Sequence, residues 1–179
     1  AYAIDAADCT PYIILRSAEK RSGKTLLLEV LSLLVPRAWL TGRVTPAVLV
    51  RKISGVSPTL LLDETDATFN GNKEFSETLR GVLNSGYRRG GVYSICVPEK
   101  GEWIYKDFLV FGPKALAGIG NLPDTVQDRG IPIEMRRKLK TEEAEKFRRR
   151  KVVQDAIPLA DALATWADEA VPILEITEP

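Results

Sequence analysis

The 179-residue sequence contains no histidine, two cysteines and one methionine. Without histidine the chain cannot build an imidazole-based metal site, an imidazole general base or a Ser-His-Asp triad. Cys9 and Cys96 are too few for a disulfide framework, and we expect both to be reduced. No apolar run reaches the length of a membrane span and no signal peptide is recognisable, which favours a cytoplasmic protein. Because the sequence opens with Ala1, we expect it to be part of a longer chain.

The composition is that of one globular domain, with 45% hydrophobic and 27% charged residues. The formal net charge is only +1, so overall charge gives no indication of a nucleic-acid partner. Positive charge is concentrated in the segment 136–151. Such a run most often forms a solvated helix face, and nucleic-acid contact is the less common alternative. Its basic residues are Arg136, Arg137, Lys138, Lys140, Lys146, Arg148, Arg149, Arg150 and Lys151.

Residues 18–25 form a glycine- and serine-containing loop that ends in Gly-Lys-Thr, between an apolar run at 12–15 and a helical pattern at 26–34. A loop between a strand and a helix can direct backbone N–H groups and the helix N-terminus at phosphate groups. We therefore predict an ATP-binding loop, in which Lys24 reaches the β- and γ-phosphates and Thr25 binds Mg²⁺. The alternative is an ordinary loop before a helix that begins Lys-Thr. The predicted loop residues are Ala18, Glu19, Lys20, Arg21, Ser22, Gly23, Lys24 and Thr25.

The loop departs from the usual G-x-x-x-x-G-K-[ST] pattern at its first position, which is Ala18 rather than glycine. Alanine is the next smallest residue, so close approach to a phosphate remains feasible. A left-handed backbone at Ala18 would be more costly than at a glycine.

A second motif begins with the apolar run at 60–62 and ends in Asp63 and Glu64. A carboxylate at the end of a buried strand is suited to holding Mg²⁺, and we assign that role to Asp63 together with Thr25. Glu64 is the predicted catalytic residue that orients the attacking water. For Asp66 we favour a helix-capping or loop role over a role as a second metal ligand. The two motifs lie in order and about 40 residues apart, so Mg²⁺-dependent ATP hydrolysis is the leading hypothesis.

Apolar patterning predicts alternating strands and helices, which indicates a three-layer α/β sandwich with a mostly parallel sheet and a ligand at its carboxyl edge. Thr45 and Pro46 are predicted to cap and open the second helix. Lys100 and Gly101 are placed near the tip of a β-hairpin. The predicted strands are 12–15, Thr59–Leu62, 92–97, 103–111, 114–120 and 131–135. The predicted helices are Lys24–Leu34, 45–54, 72–85, 122–128, 141–153 and 158–170.

Four segments, 17–25, 60–66, 79–91 and 113–133, resemble a bacterial and phage family of P-loop proteins known as a domain of unknown function. That family is often found in actinobacteria and mobile elements beside primase or other replication modules. The resemblance spans about residues 9 to 171. The family is similar to the AAA+ ATPases and to superfamily-3-type helicases. It implies a P-loop ATPase core at 1–137, with a hairpin insertion at 91–111, and an incomplete helical lid at 138–179.

The resemblance also implies two further catalytic residues. Arg129, just before the last predicted strand, is similar to the arginine that one AAA+ subunit supplies to its neighbour's site. The alternative is an ion pair with Asp124 or Asp128 in the same chain. Asn121 matches the polar residue that orients the attacking water, although a simple turn residue is nearly as good an interpretation.

Partners follow from the same resemblance. The active form is expected to be a homo-oligomeric ring, with six subunits as one candidate size, acting on DNA and preferring single strands. Lys100 at the hairpin tip would contact the DNA backbone, with Arg88 and Arg89 as further contacts. An exposed hairpin with a solvated lysine is the alternative.

These expectations describe an ATP-hydrolysing motor domain, a DNA helicase, translocase or replication-associated ATPase of a phage or mobile element. Two alternatives stay open. One is a small-molecule P-loop kinase, which would use arginines from the segment 136–151. The other is a nucleotide-binding assembly module with little turnover.

Overall fold

The computed structural model describes residues 1–71 and 73–176. The chain is an α/β protein whose central sheet has five parallel strands in the order β2-β3-β6-β1-β7. A separate antiparallel pair, β4 and β5, forms a hairpin. The strands are β1 (Tyr12–Ser17), β2 (Ala38–Thr41), β3 (Thr59–Leu62), β4 (Val92–Glu99), β5 (Glu102–Leu109), β6 (Lys114–Ile119) and β7 (Gly130–Glu134).

Within residues 1–71 and 73–176, six α-helices follow or separate these strands, and a 3₁₀ turn at Ile4–Ala6 precedes them. Thr45 caps the second helix as predicted, because its hydroxyl accepts a 3.4 Å hydrogen bond from the backbone N–H of Val48. Residue 72, where the predicted helix 72–85 starts, and residues 177–179 of the predicted lid lie outside the described residues. The helices are α1 (Lys24–Leu34), α2 (Pro46–Val56), α3 (Thr65–Asn70), α4 (Lys73–Ser85), α5 (Asp124–Gln127) and α6 (Arg149–Leu174).

The sheet is covered by helices on both faces, which explains the unbroken apolar character of its inner strands. One face buries Leu15, Leu61 and Ala115 against Leu28 of α1. The other face buries alternate residues of the same strands against α2 and α4. That larger cluster includes Tyr12, Leu60, Leu62, Leu116, Leu49, Ile53, Leu79, Val82 and Leu83. The predicted sandwich of a parallel sheet between helices is compatible with this arrangement.

Strand order determines which loops meet. β6 lies between β1 and β3, and all three strands are parallel. Their carboxyl ends therefore meet at one edge of the sheet, called the carboxyl edge here. The loop 18–23, Asp63 and Gly120 all follow strands at this edge.

The predicted hairpin is confirmed, with Lys100 and Gly101 as its two-residue connection. Both residues are left-handed, at φ 53° and 88°, which is the backbone of a type I′ turn. Tyr93 and Phe108 on one face of the hairpin pack against the core. On the opposite face the side chains of Trp103 and Tyr105 are 76% and 77% exposed.

Two predictions about the chain after residue 137 are wrong. The segment 141–148 is not helical, and the two predicted helices are one, α6, which runs through Pro158. Proline lacks the N–H that bonds the carbonyl four residues earlier. Pro158 is exposed, so water can satisfy the carbonyl that it leaves unpaired. Our sequence analysis also missed β2 and α3.

Cys9 and Cys96 are both free and exposed. Across residues 1–71 and 73–176, no helix combines the length and apolar character needed to cross a membrane.

Candidate functional site

The loop between β1 and α1 carries two left-handed residues, Arg21 (φ 61°) and Gly23 (φ 90°), and Gly23 is the N-cap of α1. Left-handed residues in such a loop can turn backbone N–H groups toward one side, where they attract anions. Ala18 is not among the residues with positive φ. The alanine that replaces the first glycine of the motif therefore carries no left-handed strain, and the special backbone lies nearer α1.

Lys24 is buried within this loop. Its ammonium group donates hydrogen bonds to the hydroxyls of Ser17 (2.5 Å) and Ser22 (3.2 Å) and lies 3.5 Å from the carbonyl of Glu19. All three partners are neutral, and within the described ranges no carboxylate forms an ion pair with Lys24. A buried positive charge without a carboxylate partner favours the binding of an anion.

Thr25 and Asp63 bring together the start of α1 and the end of β3. The Thr25 hydroxyl donates a 2.6 Å hydrogen bond to Asp63 Oδ2, and Asp63 Oδ1 accepts a 2.8 Å bond from the Glu64 N–H. A hydroxyl and a carboxylate in contact are oxygen ligands of the kind that Mg²⁺ uses, with water and phosphate oxygens completing its shell. In the part of the chain that the structure describes, no group of three or more His, Cys, Asp or Glu residues could hold a metal alone. The donor set thus fits Mg²⁺ that arrives with a phosphate ligand.

Glu64 has a left-handed backbone, φ 54°, and is the N-cap residue of α3. A non-glycine residue in this conformation is uncommon, and such residues cluster at functional sites. The Glu64 side chain is exposed at the carboxyl edge, beside the Thr25–Asp63 contact.

The two residues after Glu64 attach α3 to β6. The Thr65 hydroxyl donates to the Ala117 carbonyl (3.1 Å), and Asp66 Oδ1 accepts from the Ile119 N–H (3.0 Å). A Cβ on Gly118 would lie 2.3 Å from Thr65 Oγ1, so this close approach requires glycine. Asp66 is therefore neither a cap nor a loop residue: it lies in the first turn of α3, and its carboxylate joins that helix to β6.

Asn121 lies just past β6, and the Gly120 N–H donates to the Ser17 carbonyl (3.3 Å) at the start of the predicted loop. Asn121 Oδ1 accepts a 3.4 Å hydrogen bond from Nη1 of Arg16. The same guanidinium donates to Gln127 Oε1 (3.0 Å) and to the Glu134 carboxylate. Our sequence analysis missed Arg16, although a charged residue inside an otherwise apolar strand was a usable signal.

Arg137 is a second residue that sequence reasoning did not place at the loop. Its Nη2 donates to the Lys20 carbonyl (3.0 Å), and its Nε lies 3.6 Å from the Glu19 carboxylate. The Met135 N–H donates to the Arg16 carbonyl (2.8 Å), which brings the chain after β7 back beside β1. The basic segment thus starts on the predicted phosphate loop.

Arg129 lies at the opposite, amino edge of the sheet, where its carbonyl accepts from the Tyr12 N–H (2.9 Å). Its guanidinium donates to the Thr125 carbonyl and stacks 4.8 Å from the centre of the Tyr87 ring. The Nε atom is buried without a hydrogen-bond partner in the described chain. No ion pair with Asp124 or Asp128 forms there. β1 separates Arg129 from the loop by about 16 Å, five steps of roughly 3.3 Å.

The three predicted DNA contacts differ in availability. Lys100 is exposed at the hairpin tip. Arg88 is exposed and lies 5.2 Å from the Tyr87 ring centre. Arg89 donates to the carbonyls of residues 4, 5 and 7 and thereby anchors the N-terminal segment. Lys100 and Arg88 are therefore exposed to solvent, whereas the Arg89 guanidinium is engaged within the chain.

No protein-family model matches this chain, and no curated protein matches it either.

Proposed function

We propose that this chain is a Mg²⁺-dependent ATPase with the P-loop and AAA+-like organisation suggested by its sequence. The observation that carries the proposal is the 2.6 Å contact between Thr25 and Asp63, beside the buried Lys24 and the left-handed Gly23. Gly23, Lys24 and Thr25 come from one part of the sequence and Asp63 from another, and these four residues, of the types expected in an ATP site, meet at one edge of the sheet. A coincidental Gly-Lys-Thr loop would give no reason for an acidic strand end to meet it.

In the proposed reaction, backbone N–H groups of residues 18–25 and Lys24 bind the phosphates, while Thr25 and Asp63 hold Mg²⁺. The metal, when bound, neutralises charge on the phosphate oxygens. Glu64 orients a water molecule for attack on the γ-phosphorus and takes its proton as the bond to the ADP oxygen breaks. The products are ADP and inorganic phosphate.

The position of Arg129 at the amino edge supports a site built from two subunits. Its distance of about 16 Å from the loop excludes a role at its own chain's γ-phosphate without a large movement. A second subunit that packs its amino edge against the loop would bring Arg129 to the phosphates. Arginine suits that task because its planar fork can bond two phosphate oxygens at once. The ring of identical subunits is therefore part of the proposal.

The hairpin supports action on DNA. Lys100 is exposed at the tip, and the neighbouring Trp103 and Tyr105 present their rings to solvent. Aromatic rings stack on bases while a cation contacts the backbone, which is how single strands are bound without sequence preference. We infer a motor domain that moves or remodels single-stranded DNA, in the setting of phage or mobile-element replication and beside a primase module.

A small-molecule kinase is the second candidate, and Arg137 is the observation that favours it. Its guanidinium contacts the predicted loop in the same chain, as a phosphate-binding arginine of a kinase would. Arg136, by contrast, is paired with Glu142. Product analysis separates the two reactions, since hydrolysis releases free phosphate and a kinase does not.

The proposal is tested by titrating ATP into the chain with and without Mg²⁺, using wild type, Thr25→Val and Asp63→Asn. Thr25→Val keeps the shape of the side chain and removes only the hydroxyl. We expect Mg²⁺ to strengthen ATP binding to the wild type and to have about tenfold less effect in either variant. Equal Mg²⁺ dependence in all three proteins would remove Thr25 and Asp63 from the metal site.

A further inference from the structure

Arg16 joins three elements at the carboxyl edge. It is the second-last residue of β1, and its side chain is 29% exposed. Its guanidinium donates to Gln127 of α5, to Asn121 after β6 and to Glu134 at the end of β7. Two of these partners, Gln127 and Glu134, hold the planar group in one orientation, so the bond to the third partner has a fixed direction.

The hydrogen bond from Arg16 to Asn121 determines the orientation of the Asn121 side-chain amide. An asparagine amide has an acceptor oxygen and a donor nitrogen on one planar group, so fixing one end fixes the other. Asn121 Oδ1 accepts from Arg16, and no residue within the described ranges accepts from its amide nitrogen. The donor end of Asn121 is therefore directed away from Arg16 and remains free to bond a ligand.

The place of Asn121 makes that free donor relevant to a phosphate. Gly120, the preceding residue, is bonded through its N–H to the Ser17 carbonyl, where the predicted loop begins. Ile119, the last residue of β6, donates its N–H to the carboxylate of Asp66, which lies two residues after Glu64. Asn121 thus lies just past the end of β6. That strand lies between β1, which leads into the loop, and β3, which leads into Asp63 and Glu64.

We propose that Arg16 is a positioning residue that holds the amide donor of Asn121 toward the terminal phosphate of a bound nucleoside triphosphate. This inference rests on the proposed ATPase function and deepens it, because it names Arg16 and Asn121 as the residues that make the site prefer a nucleoside triphosphate over a diphosphate. A diphosphate lacks the oxygen that Asn121 bonds. Arg16 itself touches no nucleotide and acts through Asn121 alone.

The test measures affinities for a non-hydrolysable ATP analogue and for ADP, both with Mg²⁺, by calorimetry. The proteins are wild type, Arg16→Ala, Arg16→Lys, Asn121→Ala, the double variant Arg16→Ala with Asn121→Ala, and the control Arg51→Ala on the exposed side of α2. Arg16→Ala should lower the ratio of analogue to ADP affinity about tenfold, the effect of one hydrogen bond to a charged group. ADP affinity should stay unchanged, and Arg51→Ala should match wild type.

The double variant separates a positioning role from a general structural one. It should show the same ratio as Asn121→Ala alone, because Arg16 acts only through that residue. Arg16→Lys keeps the charge but cannot hold three acceptors in one plane, so its ratio should also fall. If Arg16→Ala does not fold, Arg16→Lys gives the same comparison.

Three results would overturn the inference. They are an unchanged ratio in both Arg16 variants, equal losses of analogue and ADP affinity, and a double variant further impaired than Asn121→Ala. A wild-type protein that binds neither nucleotide would instead reject the proposed ATPase function, and this inference with it. The two failures are therefore distinguishable.

Discussion

The two edges of the parallel sheet each hold a positive charge that no carboxylate neutralises in the described chain, but the charges differ in their surroundings. At the carboxyl edge Lys24 is enclosed by hydroxyls and a carbonyl, next to the Thr25–Asp63 contact. At the amino edge Arg129 stacks on Tyr87 with its Nε buried and unpaired. We propose that the first site binds phosphate and Mg²⁺. At the second, the Arg129 guanidinium contacts the Thr125 carbonyl and the Tyr87 ring, and within the described ranges it forms no ion pair with a carboxylate.

Our proposal is that one reaction uses both edges, each supplied by a different subunit. About 16 Å of β1 separates them within one chain. An enzyme whose site is complete within one chain would place its arginine at the carboxyl edge. The alternative is that Arg129 is structural, held at the amino edge by the Thr125 carbonyl and the Tyr87 ring. The predictions below test this interpretation, beginning with the largest expected effect.

Arg129→Ala should abolish ATP turnover, by about 10³- to 10⁵-fold, while leaving ATP affinity nearly unchanged. Lys24→Ala should also be inactive. If Arg129 acts in trans, mixing the two inactive variants should restore part of the activity, because some interfaces then pair an intact loop with an intact arginine. Phosphate release from the mixture is the measurement.

Native mass spectrometry of that mixture provides the control, because it shows whether the variants share a ring. Activity that stays absent in co-assembled mixtures would contradict a trans role. Arg129 would then have only a structural role at the amino edge, through its contacts with the Thr125 carbonyl and the Tyr87 ring.

Glu64→Gln should separate binding from chemistry at the carboxyl edge. The amide keeps the shape of Glu64 but cannot take a proton from water, so turnover should fall about 10²- to 10⁴-fold with ATP affinity retained. Single-turnover hydrolysis and a binding titration measure the two quantities. Turnover within a few-fold of wild type would exclude Glu64 from the mechanism.

Lys114 tests whether a buried lysine alone is enough to attract nucleotide. It is buried, but its ammonium donates hydrogen bonds to the carbonyls of Gly86, Val110 and Gly112 and is satisfied within the chain. Lys114→Met would leave these carbonyls unpaired and should lower the free energy of unfolding by about 2 to 4 kcal/mol. ATP affinity should not change. A loss of affinity in the folded variant would weaken the contrast with Lys24.

The same residue predicts a pH dependence. Burial lowers the pKa of Lys114 to about 7 in the folded chain, from 10.5. Between these values the unfolded chain holds a proton that the folded chain has released, so raising the pH favours folding. Urea unfolding at pH 7 and pH 9 should show wild type gaining stability relative to Lys114→Met. An unchanged difference between the two proteins would contradict the lowered pKa.

Lys100→Ala should give the smallest effect. One lost phosphate contact weakens single-stranded DNA binding a few-fold and reduces the slope of log affinity against log salt by about 1. Fluorescence anisotropy at several salt concentrations measures both. Glu102→Ala at the same hairpin end is the control, since it removes a negative charge and should not weaken binding. If Lys100→Ala shows the wild-type slope of log affinity against log salt, Lys100 does not contact the DNA backbone.

The sequence was sufficient wherever a short-range rule controls the structure. Thr45 with Pro46 marks a helix start by local chemistry, and the apolar run at Thr59–Leu62 indicates burial on both faces. The Gly-Lys-Thr loop and the Asp-Glu pair were recognised from residue type and order. Their contact through Thr25 and Asp63 required only that both follow parallel strands.

Features that depend on tertiary pairing were beyond sequence reasoning. β2 is a four-residue edge strand that exists because β3 pairs with it. Two helices, 141–153 and 158–170, were predicted where the single helix α6 accommodates Pro158 on an exposed face. Arg16 and Arg137 joined the site because β1 and β7 are neighbours, a pairing between residues more than 110 positions apart.

The central claim is that the carboxyl edge binds nucleotide through Lys24. Calorimetric titration of Mg-ATP into wild type and Lys24→Ala tests it directly, with Lys73→Ala as a control that loses only an exposed lysine on α4. We expect Lys24→Ala to lose about tenfold to a hundredfold or more in affinity while its circular dichroism spectrum stays that of wild type. Wild-type affinity in a folded Lys24→Ala protein would contradict the account.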